Sequence, residues 1–251
     1  MNLKEKLASG KSLFGPFLVL DHPAVIEIAG LAGFDFAIID TEHGEMSFGR
    51  AVDMVRAAKV AGVSSVIRVF SNKPELIAKA LDTGADAVQV PQVGTKAEAV
   101  AAVKAAKFSP LGERGVNRYT HAANYSATEK FTYFEKANQE KAVIIQVEGQ
   151  EGAKNLAEII TVPGIDVLFV GPYDLSASLG IPGQVDHPLL LAEVRKIMEL
   201  VRQAGVALGF FVDDVETALK WKKVGVQYIS FSADVAVLYQ AFSEQVKAFN
   251  E

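Results

Sequence analysis

The sequence predicts a single (β/α)8 barrel spanning residues 1–251, and three observations predict it. Eight short runs rich in β-branched and aromatic residues alternate with stretches at helical spacing. Those runs are continuously apolar, as in a parallel sheet covered on both faces. The polar residues that break the pattern fall mostly just after strands, the end at which such barrels build active sites.

The first strand lies near residues 14–20, and PAVIEIAGLAG (23–33) carries a helix's apolar face with a Gly stop. FDFAIID (34–40) is the second strand and is followed by the helical GRAVDMVRAAKVAG; SSVIRV (64–69) is the third. KPELIAKALDTG (73–84) opens with Pro in its first turn and closes on Gly. ADAVQVP (85–91) is the fourth strand and TKAEAVAAVKAAK the helix after it. Residues 108–141 interrupt the rhythm with an aromatic and polar excursion that includes a helix. The alternation returns with AVIIQVE, EGAKNLAEII, IDVLFVGP, LLLAEVRKIMELVRQAG, VALGFFV, DVETALKWKKVG, VQYISFS and a final helix from Asp234. No linker-like stretch divides the chain. The alternative, a doubly wound open sheet, lacks a G-x-G-x-x-G after the first strand.

Half the residues are hydrophobic and 22% are charged, enough for a sizeable core. A net charge of −5 without any Lys/Arg-rich run argues against nucleic acid. The absence of cysteine removes disulfides, thiolate metal sites and a Cys nucleophile, and fits a reducing compartment. LFGPFLVL (13–20) is broken by Pro16 and has no cleavage pattern, and no run approaches the ~18 apolar residues of a membrane span. A cytoplasmic protein with no membrane partner is expected.

Two strand ends carry carboxylates, Glu148 after the fifth and Asp174 after the sixth. On neighbouring parallel strands they converge at the barrel mouth, which suits a hard divalent cation that keeps open positions for a chelating substrate. For Asp174 a helix N-cap in GPYDLSASLG is a second reading, compatible with the first. Gln146, two residues before Glu148 on the same strand, points the same way and is either a ligand-facing amide or one satisfied by barrel backbone. His43, in DTEHGEMSF, has three readings: general base, third metal ligand, or loop residue without a role. Arg68 interrupts an apolar strand and needs an anion, either a substrate oxyanion or carboxylate or an internal partner such as Asp40. No strand contains or ends in Lys, which disfavours a Schiff base, and the acidic loops with Asp213, Asp214 and Asp234 disfavour a phosphorylated substrate.

DTEHGE, Arg68, GERGV (112–116), QVEGQEG and GPYDLSASLG stand in the order and spacing of the HpcH/HpaI aldolase family, which the chain resembles from about residue 12 to residue 235. The resemblance implies a class II pyruvate aldolase that reversibly cleaves a 4-hydroxy-2-oxo acid to pyruvate and an aldehyde. It implies that Glu148 and Asp174 bind Mg²⁺, Mn²⁺ or Co²⁺, and that Gln146 and the backbone N–H groups around Tyr173 and Asp174 help to hold the 2-oxo acid. Arg68 would stabilise the enolate oxygen, His43 would take the proton from the 4-hydroxyl, and Asp40 would order this network. Asp82 matches a family carboxylate that sharpens the His base. Because it ends a helix on the opposite face, it would act only across a subunit interface, in keeping with the family's hexamers; its other reading is an ordinary helix-end residue in DTG. Tyr173 stands where the family often has a small residue, and NRYTHAANYS departs from the commoner pattern. Two other functions compete: a CoA-thioester lyase of the citramalyl-CoA type, which would need a cationic track, and a non-catalytic barrel that binds a metal and a 2-oxo acid.

Overall fold

In the computed structural model every residue is described except Glu45 and the side chain of Asp174. Eight parallel strands close into a barrel in sequence order: β1 (Leu13–Leu18), β2 (Phe36–Asp40), β3 (Ser64–Arg68), β4 (Ala87–Val90), β5 (Ala142–Val147), β6 (Val167–Val170), β7 (Ala207–Val212) and β8 (Tyr228–Ala233). Helices α2 (Pro23–Leu31), α3 (Phe48–Ala61), α4 (Pro74–Asp82) and α5 (Lys96–Ala106) follow the first four strands. The excursion contributes α6 (Lys130–Glu140), and α7 (Gly149–Ile159), α8 (Pro172–Ser178), α9 (Pro188–Ala204), α10 (Val215–Val224) and α11 (Asp234–Asn250) complete the set. The (β/α)8 architecture expected from the sequence is therefore the one observed.

Local chemistry sets the helix ends. Ser47 accepts from the Arg50 N–H, Thr95 and Glu98 form a capping box on α5, and Gly62, Gly205 and Gly225 end their helices in the left-handed conformation. One helix escaped the sequence reading. The segment α1 (Leu3–Ala8) is only six residues long, so its periodicity is too brief to register, yet Asn2 and Glu5 cap it reciprocally. Leu3 and Leu7, one turn apart and buried, join the cluster inside the barrel with Leu13, Phe36 and Tyr228. Lys6 Nζ donates to the Asp35 carbonyl at the start of β2, and Lys4 pairs with Asp166 just before β6 at 2.9 Å. The helix thus stoppers the N-terminal end of the barrel, and each buried Leu contributes about 2 kcal/mol.

The interior is filled by alternating large and small side chains. Tyr228 stacks on Phe36 at 4.0 Å between centroids. Gly209 makes room for Tyr228, since a Cβ there would lie 2.9 Å from the Phe169 ring and 3.0 Å from that of Tyr228. A second apolar layer lies between the strands and the outer helices and includes Ile39, Ile67, Val88, Ile145, Leu168 and Phe210.

The excursion at 108–141 joins α5 to β5 and therefore lies at the N-terminal end of the barrel. Asn138 pins it by accepting from the Phe108 N–H at 2.7 Å and donating to the Phe108 carbonyl at 3.0 Å. Lys107 Nζ donates to the carbonyls of Asn138 and Lys141, and burial pulls its pKa down to about 8. Arg114 packs over the Phe108 ring at 4.5 Å and donates to Asp82 Oδ1 at 2.5 Å.

Candidate active site

At the C-terminal end of the strands a cavity of about 340 Å³ opens, lined by Asp40, His43, Arg68 and Gln146 and walled by aromatic residues from β1, β6 and β7. Parallel strand ends bring these together although they lie far apart in sequence. Asp40 ends β2 and Arg68 ends β3, and the two are register partners across the sheet.

Asp40 is the hub of this side of the site. Its Oδ1 accepts from Arg68 Nε at 2.9 Å and from the backbone N–H groups of Glu42 and His43 at 3.0 and 3.3 Å. Its Oδ2 accepts from Arg68 Nη2 at 2.6 Å. The internal partner considered for Arg68 is thus present, and Glu42 is a second: its Oε2 lies 3.2 Å from Nη1, an ion pair without hydrogen-bond alignment. Two of the five guanidinium N–H groups, on Nε and Nη2, donate to Asp40, and the remaining three carry no hydrogen bond to Asp40 or Glu42. The Phe17 ring, 4.6 Å from Arg68 Cζ, fixes the plane of the group. His43 is largely exposed, with Nε2 3.9 Å from Glu42 Oε2.

The opposite side is an amide relay. Gln89, fully buried in β4, donates from Nε2 to Gln146 Oε1 at 2.6 Å, and Gln146 Nε2 donates to Glu148 Oε1. Because an amide offers both a donor and an acceptor, Gln89 fixes which way Gln146 faces, and Gln146 in turn holds the Glu148 carboxylate. Glu148 directly follows β5 and precedes α7. The backbone of Asp174 lies in the first turn of α8, whose N-cap is Gly171; the N-cap reading of Asp174 is corrected to this extent, because the helix begins two residues earlier, at Pro172. The Asp174 side chain, and with it the expected second metal ligand, lies outside the described residues.

The donors fit a hard cation. Glu148 offers carboxylate oxygen, Gln146 keeps its amide oxygen on Gln89, and no sulfur competes. Among the described residues no three of His, Asp and Glu converge as a ready-made cage. Tyr173, in the first turn of α8, borders the cavity and donates its hydroxyl to Asp213 Oδ2; this hydrogen bond, the leading cause, pushes its pKa up to about 12.

Two polar residues near strand ends, after β4 and late in β8, have unusual backbone conformations. Gln92 and Ser232 adopt left-handed φ of 56° and 44°. At Ser232 the β1–β8 register slips, and Ala233 turns toward the cavity. Asp82 is the last residue of α4, at the far end of the barrel, paired with Arg114 and away from its own chain's site. Gln89, the role of Glu42, and the Tyr173–Asp213 pair were missed by the sequence reading; a lone Gln in the short apolar run AVQV was the one signal pointing at the first.

A family profile described as HpcH/HpaI aldolase/citrate lyase matches residues 13–241. The chain is 35% identical over 237 residues to the pyruvate aldolase of Rhizobium etli, covering 94% of this chain and 92% of that one. It is 31% identical over 248 residues to the 5-keto-4-deoxy-D-glucarate aldolase of Citrobacter koseri, covering 99% and 96%. Among solved structures, the HpcH/HpaI aldolase from Desulfitobacterium hafniense superposes with a TM-score of 0.92 at 32% identity, covering 100% of this chain and 97% of the other.

Proposed function

Since this chain belongs to the HpcH/HpaI aldolase/citrate lyase family and is a carbon–carbon lyase of the class II aldolase type, we propose that it cleaves a 4-hydroxy-2-oxo acid reversibly to pyruvate, or a close 2-oxo acid, and an aldehyde, with a divalent cation as cofactor. The observation that supports this best is the convergence on one cavity of the Gln89–Gln146–Glu148 relay and the Asp40–Arg68–Glu42 cluster.

In this reading Glu148 and Asp174 hold Mg²⁺, Mn²⁺ or Co²⁺, and the cation supplies a Lewis acid for the 2-oxo group. N–H groups of Arg68 that Asp40 leaves open donate to the oxygen that gains negative charge as the C3–C4 bond breaks. Asp40 and Glu42 keep the guanidinium aimed, and Asp40 also fixes the loop that carries His43 through two backbone N–H groups. His43 takes the proton from the 4-hydroxyl and returns one in synthesis. Backbone N–H groups at the start of α8, with Gln146, position the carboxylate of the 2-oxo acid.

We also propose that the chain assembles with copies of itself, the hexamer being the state the family resemblance implies. Helix α11 supports assembly: after the buried Asp234, every residue from Val235 to Asn250 is exposed, including Leu238, Tyr239, Phe242, Val246 and Phe249. A barrel's last helix ordinarily covers its last and first strands. Here Val215 and Leu219 of α10 and Ile28 and Leu31 of α2 are instead left about half exposed or more. Assembly would also give Asp82 a route to a neighbour's His43.

Pyruvate release from 4-hydroxy-2-oxo acids tests the catalytic reading. Chelation should abolish it and Mg²⁺, Mn²⁺ or Co²⁺ should restore it; cleavage that survives thorough metal stripping would refute it.

A further inference from the structure

We propose that Asp213, held by Tyr173, makes the acceptor end of the site selective for aldehydes that carry no charge of their own. This rests on the aldolase reading above and names the aldehyde class that reading leaves open.

The inference begins with charge. Among the described residues lining the cavity, Arg68 is the one permanent cation. Asp40 and Glu42 already engage it from two sides, and in the proposed reading its other N–H groups serve the 2-oxo acid. A second carboxylate, on the aldehyde half, meets no cation of its own.

What it meets instead is acidic. Asp213 follows β7 directly and receives the Tyr173 hydroxyl, so the pair spans the rim between β7 and α8. The neighbouring Asp214 caps α10 through the Thr217 N–H and adds a second negative charge. Arg50, in the first turn of α3, is paired with Asp21 at 3.1 Å and does not line the cavity.

The remaining wall is aromatic. Phe211 on β7 packs against Phe17 at 5.9 Å between centroids, and Phe17 packs against Phe169 on β6 at 6.5 Å. Such a surface favours aliphatic chains, while the Tyr173 oxygen and the Asp213 carboxylate accept hydrogen bonds from any hydroxyl the aldehyde brings. An added carboxylate would be desolvated against the rings and repelled by Asp213. At a partly solvated rim, one such repulsion amounts to about tenfold in kcat/KM.

Butanal and succinic semialdehyde test this, because they have equal chain length and differ in a terminal methyl against a carboxylate. Condensation with pyruvate is measured on the full-length protein with Mg²⁺ or Mn²⁺. The wild-type protein should prefer butanal by about tenfold or more in kcat/KM, expressed chiefly in the aldehyde KM, and added salt should narrow the ratio. Asp213→Asn should bring the two aldehydes close to parity, and Tyr173→Phe, which frees Asp213 to move, should narrow the ratio by less. A preference for succinic semialdehyde, or a ratio indifferent to both Asp213→Asn and salt, would overturn the proposal. Exchange of the pyruvate methyl protons in D2O separates the two levels: exchange with the wrong ratio overturns only the acceptor assignment. Absence of exchange together with absence of turnover overturns the aldolase reading and this inference with it.

Discussion

Arg68 and Asp40 meet two-pronged, Nε on Oδ1 at 2.9 Å and Nη2 on Oδ2 at 2.6 Å, with the side chains only 10% and 2% exposed. Lys offers one ammonium point charge and reproduces neither prong. Arg68→Lys should therefore fold but lose about 10²–10³ in kcat/KM for retro-aldol cleavage. Steady-state kinetics with a melting curve as control checks this, and a loss under threefold would remove Arg68 from the chemistry.

Gln89 touches neither cation nor substrate in this arrangement, yet it sets the orientation of Gln146. Its own Oε1 is buried without a partner, and Gln89→Met would exchange that orphan for one on Gln146, so stability should change little. Loss of the relay should weaken cation binding about tenfold. Titration with Mn²⁺ followed by electron paramagnetic resonance reads this directly; an unaltered affinity would reduce Gln89 to a packing residue.

Burial lowers Lys107 from 10.5 to about 8. Between those values the unfolded chain binds more protons than the folded one, so this group makes stability rise with pH across that window. Below pH 8 both states are protonated and the cost of burying the charge is at its full size. Relative to Lys107→Met, the wild-type protein should gain roughly 1.5 kcal/mol from pH 8 to pH 9.5. Paired urea titrations at the two pH values give the difference, and a flat or falling one would contradict the buried-cation account.

Removal of α11 after Ala233 tests the assembly proposal. The shortened chain should sediment as a monomer, and its barrel should still unfold cooperatively, because Asp234 is the one residue of the helix that is buried. Asp234 accepts from the N–H groups of Val19 and Leu20, so a second variant that keeps Asp234 and ends at Val235 separates loss of that anchor from loss of the helix. If both shortened chains remain oligomeric, the interface lies elsewhere.

The barrel was legible because its strands are unbroken apolar runs and its helices carry their own stop signals, as at Gly62 and Gly205. The strand-end rule likewise located Asp40, His43, Arg68 and Gln146, all of which line one cavity. Periodicity fails where elements are short: α1 has two apolar contacts, and Gln89 sits in a four-residue strand. It also cannot say which surface a helix covers. The pattern of α11 announces a buried face, but whether its own barrel or another provides the cover is a matter of the hinge at Ala233, whose extended backbone the sequence does not display. The Tyr173–Asp213 contact joins the first turn of α8 to the segment after β7, 40 residues apart, and the pairing of β6 with β7 brings them together.

With Leu3 and Leu7 plugging its base, the barrel is a cul-de-sac, and traffic has a single door. If the 2-oxo acid sits against Glu148 as proposed, it cannot depart past an aldehyde lodged at the threshold. Exit order is thereby imposed: the aldehyde goes first in cleavage and enters second in synthesis, so pyruvate should inhibit cleavage competitively and the aldehyde should not.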